Sequence, residues 1–389
     1  MLQEDNHADA PLRILHVLRA PVGGLFRHVL DLTREQIARG HQVGLIADSL
    51  TGGEMAERQF ATLTPHLALG LMRLPIHRLP HPSDLPAVIA VNRRIAELKP
   101  HVVHGHGSKG GAFARSTGLL TGKESAIRVY TPHGGSLNYR LGSLAHRVFM
   151  VLERALAART DAFLFESAFI ADRFKTYVGN PKGIYRIIPN GISEAEFEPV
   201  PPGADAVDLL YVGEFRSAKG LDTLIDALAL LARRDVKPRL LLVGDGPDRR
   251  MLQERAREAG VAEQITFGKP RPAREAFALG RIMVVPSRFE SLPYIVLEAA
   301  GAQIPLVATN VGGMGEIFGP YADRLIVADT PEILAGALQN TMTEDEQARA
   351  EKAKALADYV ASRFSISGMA DQIIQGYRDA IAARAAGGA

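Results

Sequence analysis

No cysteine occurs among the 389 residues, so neither a disulfide framework nor a thiolate metal site is available to the chain. Long hydrophobic runs are missing as well. The best apolar stretches are broken by Arg, Glu or Pro within about ten residues, well short of the roughly 20 needed to span a bilayer. The first residues lack the basic-then-apolar pattern of a secretory signal, which makes a cytoplasmic location the expectation. Three catalytic signatures are missing from the places where they would act. No Gly-any-Gly-any-any-Gly follows the first strand, which argues against a nicotinamide-dependent dehydrogenase. No Gly-any-Ser-any-Gly elbow is present, which argues against a Ser/His/Asp hydrolase. There is no Asp-any-Asp element to hold a nucleotide-bound divalent ion, and no third ligand stands at convincing spacing beside His104 and His106, so no metal is expected.

What is present is enough for two ordinary cores, since 47% of the residues are hydrophobic. The formal net charge is only +2. It is unevenly spread: residues 1–190 hold 23 Lys and Arg against 15 Asp and Glu, whereas residues 191–389 hold 22 against 28. A basic first half suits an anionic acceptor or anionic lipid headgroups, and ordinary scatter of surface charge is the competing explanation. No nucleic-acid-binding motif accompanies the charge, so nucleic acid is not an expected partner.

Short apolar runs followed by loops and amphipathic stretches recur along the chain. In the first half they fall at 13–18, 42–47, 101–103, 126–130 and 162–165. In the second they fall at 208–212, 239–243, 264–267, 282–285, 305–308 and 324–327. Alternation of this kind implies parallel sheets with crossover helices, in two doubly wound α/β domains. The chain turns near Asn190-Gly191, and the connector Pro199 to Gly203 marks a linker region. The expected boundaries are 1–192, 193–365 and a closing helix within 366–389 that crosses back to the first domain. Strand-end loops are where such sheets bind ligands, which makes a cleft between the domains the natural site.

The richest string is Ser287-Arg-Phe-Glu290-Ser291-Leu292-Pro-Tyr-Ile-Val-Leu-Glu298, with one carboxylate in a loop and the other in the following helix. Glu290 can reach a bound sugar, and Glu298 can accept hydrogen bonds from a ribose diol. This string resembles the signature of the retaining group-1 (family four) glycosyltransferases. Tyr211-Val-Gly213-Glu-Phe-Arg216-Ser-Ala-Lys219-Gly220 resembles their phosphate-binding segment, and Leu242-Val-Gly244-Asp-Gly246-Pro their following glycine turn. Ile188-Pro-Asn190-Gly191, Val311-Gly-Gly313-Met-Gly-Glu316, Gly23-Gly24 with Arg27-His28, His104-Gly-His106 and Thr131-Pro-His133-Gly134 match as well.

The resemblance implies the GT-B fold, two Rossmann-like doubly wound domains facing across a cleft, with the acceptor on the first and the nucleotide sugar on the second. It places Gly23, Gly24, Gly213, Gly244, Gly246, Ser291, Leu292 and Glu298 at the donor and His133 on the donor sugar, as a residue needed for transfer. Arg216 and Lys219 suit a leaving diphosphate on physical grounds too, because fixed cations stabilise the charge that develops as the glycosidic bond breaks. Glu290 then orients the sugar, with a covalent nucleophile as the alternative role. Gly23-Gly24 is either a ligand-facing turn or simply a tight one. His104, His106 and Lys109 are candidates for the acceptor cleft, and the two histidines have structural hydrogen bonding as their plainer role.

The segment Tyr139 to Arg159 interleaves Leu141, Leu144, Val148, Phe149, Val151, Leu152 and Leu156 with Arg140, Arg147, Arg154 and Arg159. Such a basic amphipathic helix either lies on an anionic membrane or packs on the core with a solvated basic face. The reading that follows is a retaining, metal-independent hexosyltransferase. It uses a nucleoside-diphosphate sugar as co-substrate and a glycan or lipid-linked acceptor of a cell-surface exopolysaccharide or lipopolysaccharide pathway, and it is cytoplasmic or peripheral on the inner membrane face. Rival readings are an epimerase or hydrolase of the same fold and a catalytically silent nucleotide-binding scaffold.

Overall fold

The computed structural model describes residues 10–118, 126–139 and 141–387. They form two compact units, one made of the chain up to Asn190 together with Ile366 onward, the other of Gly191–Ser365. The stretch Pro199 to Gly203 lies inside the second unit instead of linking the two. Its backbone is tied down there, Val200 N donating to Ala302 O and Gly203 N to Ala278 O.

The sheet of the first unit comprises β1 (Arg13–Leu18), β2 (Gln42–Asp48), β3 (Gly70–Leu74), β4 (Val102–His106), β5 (Ile127–Thr131), β6 (Ala162–Phe165) and β7 (Ile184–Ile187), all parallel, in the order β3-β2-β1-β4-β5-β6-β7. Central strands read as nearly unbroken apolar runs because helices cover both faces. The edge strands β3 and β7 escape that pattern. Most of β3 is half-exposed and β7 alternates between half-buried and exposed, so neither carries an apolar run that sequence reading detects. The closing helix Ile366–Gly387 belongs to this unit. Its Met369, Ala370, Ile373, Ile374 and Tyr377 repeat at helical spacing and pack with Ile14, Val102, Val129 and Leu164 of the sheet.

The second unit has a parallel sheet of β8 (Val207–Val212), β9 (Leu240–Val243), β10 (Ile265–Gly268), β11 (Gly280–Val285) and β12 (Leu306–Ala308), in the order β10-β9-β8-β11-β12. Residues 324–327 do not form the expected further strand. With β12 only three residues long, they add a single bridge, Ile326 beside Thr309.

In both sheets the strand order reverses beside the first strand of the unit, between β1 and β4 and between β8 and β11. The loops leaving those pairs diverge, which opens a crevice at the carboxyl ends of the strands.

The helix Leu144–Ala157 is set on the first unit by an internal charge pair. Glu153 meets the fully buried Arg115 at 2.8 Å, and the guanidinium lies 3.7 Å from the centre of the Tyr130 ring. Tyr130 and Ser136 hydroxyls donate to Glu153 Oε1 at 3.1 and 2.7 Å. Consequently His146, Met150 and Glu153 face inward, while Leu144, Val148, Val151 and Leu152 are exposed. Core packing through the apolar side of this helix is therefore corrected, because the ion pair dictates which side turns in. Arg140 of the same segment lies outside the described residues.

Removing one partner of a buried ion pair leaves the other charge without compensation. Glu153→Ala should lower stability by about 3–5 kcal/mol, measured as the shift in the urea unfolding midpoint, and a joint Arg115→Met and Glu153→Leu replacement should recover much of that loss.

Candidate active site

At the reversal point of the second sheet, the loop after β8 carries Arg216 and Lys219 and the loop after β11 carries Glu290. Lys219 Nζ meets Glu290 Oε1 at 2.7 Å, and the buried Ser287 hydroxyl donates to the same oxygen at 2.6 Å. Oε2 of Glu290 takes no hydrogen bond among the described residues, so it is open to a ligand hydroxyl. Arg216 is about half exposed and, among the described residues, pairs only with Glu214, at 2.9 Å. An exposed pair of this kind is worth little and is readily exchanged for a stronger anion.

Arg288, to which sequence reasoning gave no role, fastens the two loops together. It grips Asp222 through two bonds of 2.8 Å, Asp329 at 2.7 Å and the Ser217 carbonyl at 2.6 Å. Burial alone would raise the Asp222 pKa, but this bidentate cation outweighs it and holds the carboxylate below its ordinary value. The signal for Arg288 was its place beside Glu290 in the motif.

Glycines let the strand-end loops touch through their backbones. A Cβ on Gly244 would stand 1.9 Å from Gly213 O. One on Gly312, whose φ is +58°, would stand 1.6 Å from Glu290 O, and Gly313 N donates to Ser291 O at 2.8 Å. The motif around Val311 to Glu316 thus buttresses the Glu290 loop. Glu298 sits half-buried on the following helix Tyr294–Gly301.

At the reversal point of the first sheet, five histidines converge. His16 on β1 pairs in register with His104 on β4. His16 Nδ1 lies 2.9 Å from His106 Nε2, and His106 Nδ1 lies 3.1 Å from His133 Nε2. His28 joins through its ring, edge-on to His133 with centroids 4.7 Å apart, and its Nδ1 is 3.1 Å from Asn190 Oδ1. Sequence reasoning gave His16 no part here, since it comes from an interior strand position, and named His28 only within the Arg27-His28 match, without a role. The concentration was visible nonetheless, for all 12 histidines precede residue 147.

These rings form two groupings with metal-ligand proximity, His16/His104/His106 and His28/His106/His133. Space supplies the third imidazole that spacing along the chain did not. Both nitrogens of His16 and of His104 are already hydrogen-bonded, His16 to His106 and Gln36, His104 to the Tyr377 hydroxyl at 2.6 Å and to Thr131 Oγ1 at 2.8 Å. Burial drives every pKa in the cluster down, to about 4 for His16 and His28 against the opposing hydrogen bonds of Gln36 and Asn190, and well below the usual value for His104, His106 and His133, where repulsion among the rings adds to it.

Residues 22–196 match the family described as Glycosyltransferase Family 4, and residues 193–360 match Glycosyl transferases group 1. The chain is a group 1, family 4 glycosyltransferase. Glycogen synthase of Mycobacterium tuberculosis is 27% identical over 382 residues, which cover 92% of this chain and 91% of that protein. Sucrose-phosphate synthase from Thermosynechococcus elongatus has the same fold at 23% identity, with a TM-score of 0.77 over 96% of this chain and 99% of its own. HepE of Anabaena, solved with UDP-glucose, gives 0.76 at 19% identity over 95% and 100%. The two parallel-sheet units are the two Rossmann-like domains of the GT-B fold.

Within this glycosyltransferase the remaining residues singled out in the sequence divide. His133 has a φ of +48° and is followed by two glycines that also have positive φ, so a contorted turn presents its ring. Strained backbone of this sort persists only where the surroundings over-determine it. Gly23, with a φ of +65°, and Gly24 open the helix Gly23–Ala38, and a Cβ on Gly23 would meet nothing within 4 Å. His104 does not follow its strand but lies within β4, fully buried, where both nitrogens serve internal bonds; that placement takes it out of the acceptor cleft. Lys109 does line a cavity, together with His106 and His133. Its ammonium is spent on the His77 and Leu79 carbonyls and on Asp84, at 2.6 to 2.7 Å, and it fastens the loop that those residues form. The cavity measures about 670 Å³.

Buried neutral imidazoles bind fewer protons than the same groups in the unfolded chain, so stability rises with pH across the interval between the two pKa values. Stability of the first unit should therefore be complete above about pH 6.5 and decline as pH falls towards 4. Hydrogen exchange of the β1 and β4 amides measures it, with the histidine-free second unit as internal reference. Constant protection of those amides across this window would contradict neutral burial.

Proposed function

We propose that this glycosyltransferase moves a sugar from a nucleoside-diphosphate sugar to a glycan or lipid-linked acceptor in cell-surface polysaccharide synthesis, with retention of anomeric configuration and without a metal. The observation that carries the reading is the Lys219–Glu290 pair at 2.7 Å, with Arg216 on the same loop as the lysine. In this reading the diphosphate takes the two cations, Arg216 gripping it through its planar fork and Lys219 supplying a compact charge. The unoccupied Oε2 of Glu290 accepts a sugar hydroxyl and orients the ring. Its partner oxygen already carries two donors, which damps nucleophilicity and favours the orienting role over a covalent one.

Transfer then proceeds by attack on the face from which the phosphate departs, within an ion pair, and the leaving phosphate helps to take the acceptor proton. His133 is the first unit's contribution to transfer. Gly213, Gly244 and Gly246 give the donor close backbone approach, and Glu298 serves the ribose. HepE, solved with UDP-glucose, supports a nucleotide sugar as donor.

The basic balance of the first half and the exposed apolar side of Leu144–Ala157 support a peripheral position on an anionic membrane, on its cytoplasmic face. No helix among the described residues is long and apolar enough to cross a membrane.

Calorimetric titration with UDP, GDP, ADP and NAD, each with and without magnesium, tests the donor. One nucleoside diphosphate should bind equally well in both conditions, and binding of NAD or of nothing would sink the proposal. Lys219→Ala should lower kcat by about 10²–10³ at saturating donor, and an unchanged rate would remove Lys219 from the diphosphate.

A further inference from the structure

The cavity that His106 and His133 border belongs wholly to the first unit, and its chemistry is divided. Leu25, Phe149 and Leu152 supply apolar wall, whereas Arg19 and Arg78 supply positive charge; the other charged groups of the lining are already paired, Lys109 with Asp84 and Glu153 with Arg115. Among the described residues neither arginine has a carboxylate at ion-pair distance or a hydrogen-bond acceptor. Asp48, the acid that acts on Arg19 at longer range, is committed to the amides of Leu50 and Ile76 and to the Thr51 hydroxyl, at 2.7 to 3.0 Å. Burial and then the neighbouring charge of Arg78 pull the Arg19 pKa below its ordinary value. Two cations on one recess whose acids, Asp84 and Glu153, are committed to Lys109 and Arg115 are an anion site waiting for its anion.

The apolar wall does not stop at the cavity mouth. Leu152 both lines the recess and is 48% exposed, and on the same helix Leu144, Val148 and Val151 continue the stripe at 79, 48 and 62% exposure. The Arg115–Glu153 pair keeps that stripe outward. A soluble carbohydrate has no use for such a track, but a hydrocarbon chain attached next to an acidic group fits both halves.

We infer that this recess is the acceptor site and that it takes a lipid-linked phosphate, with Arg19 and Arg78 on the phosphate and the Phe149, Leu152 and Val148 track on the hydrocarbon. The assignment of an acceptor rests on the transferase reading above. His133, on the recess wall, stands where the head of the bound acceptor would lie. Neither arginine was a candidate from the sequence, since they sit in separate loops, after β1 and after β3.

Three probes separate the contributions in titrations of the full chain below micelle-forming concentrations: decyl phosphate, decyl glucoside and inorganic phosphate. Decyl phosphate should bind at least about tenfold more tightly than either of the others, the scale of one or two charge-assisted hydrogen bonds. Joint Arg19→Gln and Arg78→Gln replacement should erase that advantage, and Leu152→Gln, at an exposed helix position that tolerates glutamine, should weaken decyl phosphate about fivefold through lost apolar contact. Inorganic phosphate binding as tightly as decyl phosphate would mean a free-anion site. Equal binding of the two decyl compounds would mean an apolar groove without charge recognition. Either result, or unaltered binding by the double variant, overturns the assignment. Nucleoside diphosphate titration of the same samples reads the second unit separately. Its failure would withdraw the transferase reading while leaving the lipid-phosphate recess, and its success with three indistinguishable probes would withdraw the recess alone.

Discussion

The position of one backbone carbonyl governs the second unit's site. Glu290 O lies so close to Gly312 that no side chain fits between them, and the adjoining loop is hydrogen-bonded through Gly313. Contacts between main chains cannot relax by changing a rotamer, so the loop that bears the carboxylate is held more rigidly than side-chain packing alone would achieve. That rigidity suits a group whose task is orientation, because misplacement by an ångström is costly in transfer chemistry. Arg288 extends the same principle with charge, locking the lysine-bearing loop to its neighbour.

The first unit is organised differently. Its strand ends hold neutral imidazoles beside close glycine contacts such as Gly110 against Val17 O, and its charges include a buried matched pair, Arg115 with Glu153, and two that face a recess, Arg19 and Arg78. The contrast follows from what each unit must recognise in the proposed reaction. A diphosphate presents a compact, repeating pattern of oxygen atoms that backbone and two cations can match. An amphiphile presents a small charged group attached to a long apolar body, which needs a wall as much as a charge.

Much of this was legible in the chain because central parallel strands announce themselves as apolar runs and because the loops between them carry motifs at fixed spacing. β1, β2, β5 and β6 lie close to where their runs suggest. The illegible parts have physical reasons. β3 and β7 are edge strands whose exposed faces dilute the signal, and 324–327 has strand-like composition but too short a neighbour to pair with. Periodicity showed that Leu144–Ala157 is two-sided but not which side turns inward, since that depends on an arginine about 40 positions away along the chain. His104 looks like a ligand residue because it is polar near a strand end, yet Tyr377 and Thr131 occupy both its nitrogens, whereas Lys109 stays on the recess wall with its ammonium held by Asp84. His16 and Arg19 were overlooked for the opposite reason. They lie on and just after a strand that reads as pure core, and only the order of strands reveals what stands beside them.

The Tyr377 hydroxyl that meets His104 arrives from a helix that follows the entire second unit along the chain. On the ribosome the first sheet must therefore wait with part of one face bare while some 175 intervening residues are made. The second unit is continuous and can complete itself in that interval, since domains generally fold as units during synthesis. The apolar surface that the closing helix eventually covers, Ile14, Val102, Val129 and Leu164, is meanwhile available to chaperones or to another nascent chain. Order of emergence, then, makes the unit that is encoded first the last to be finished.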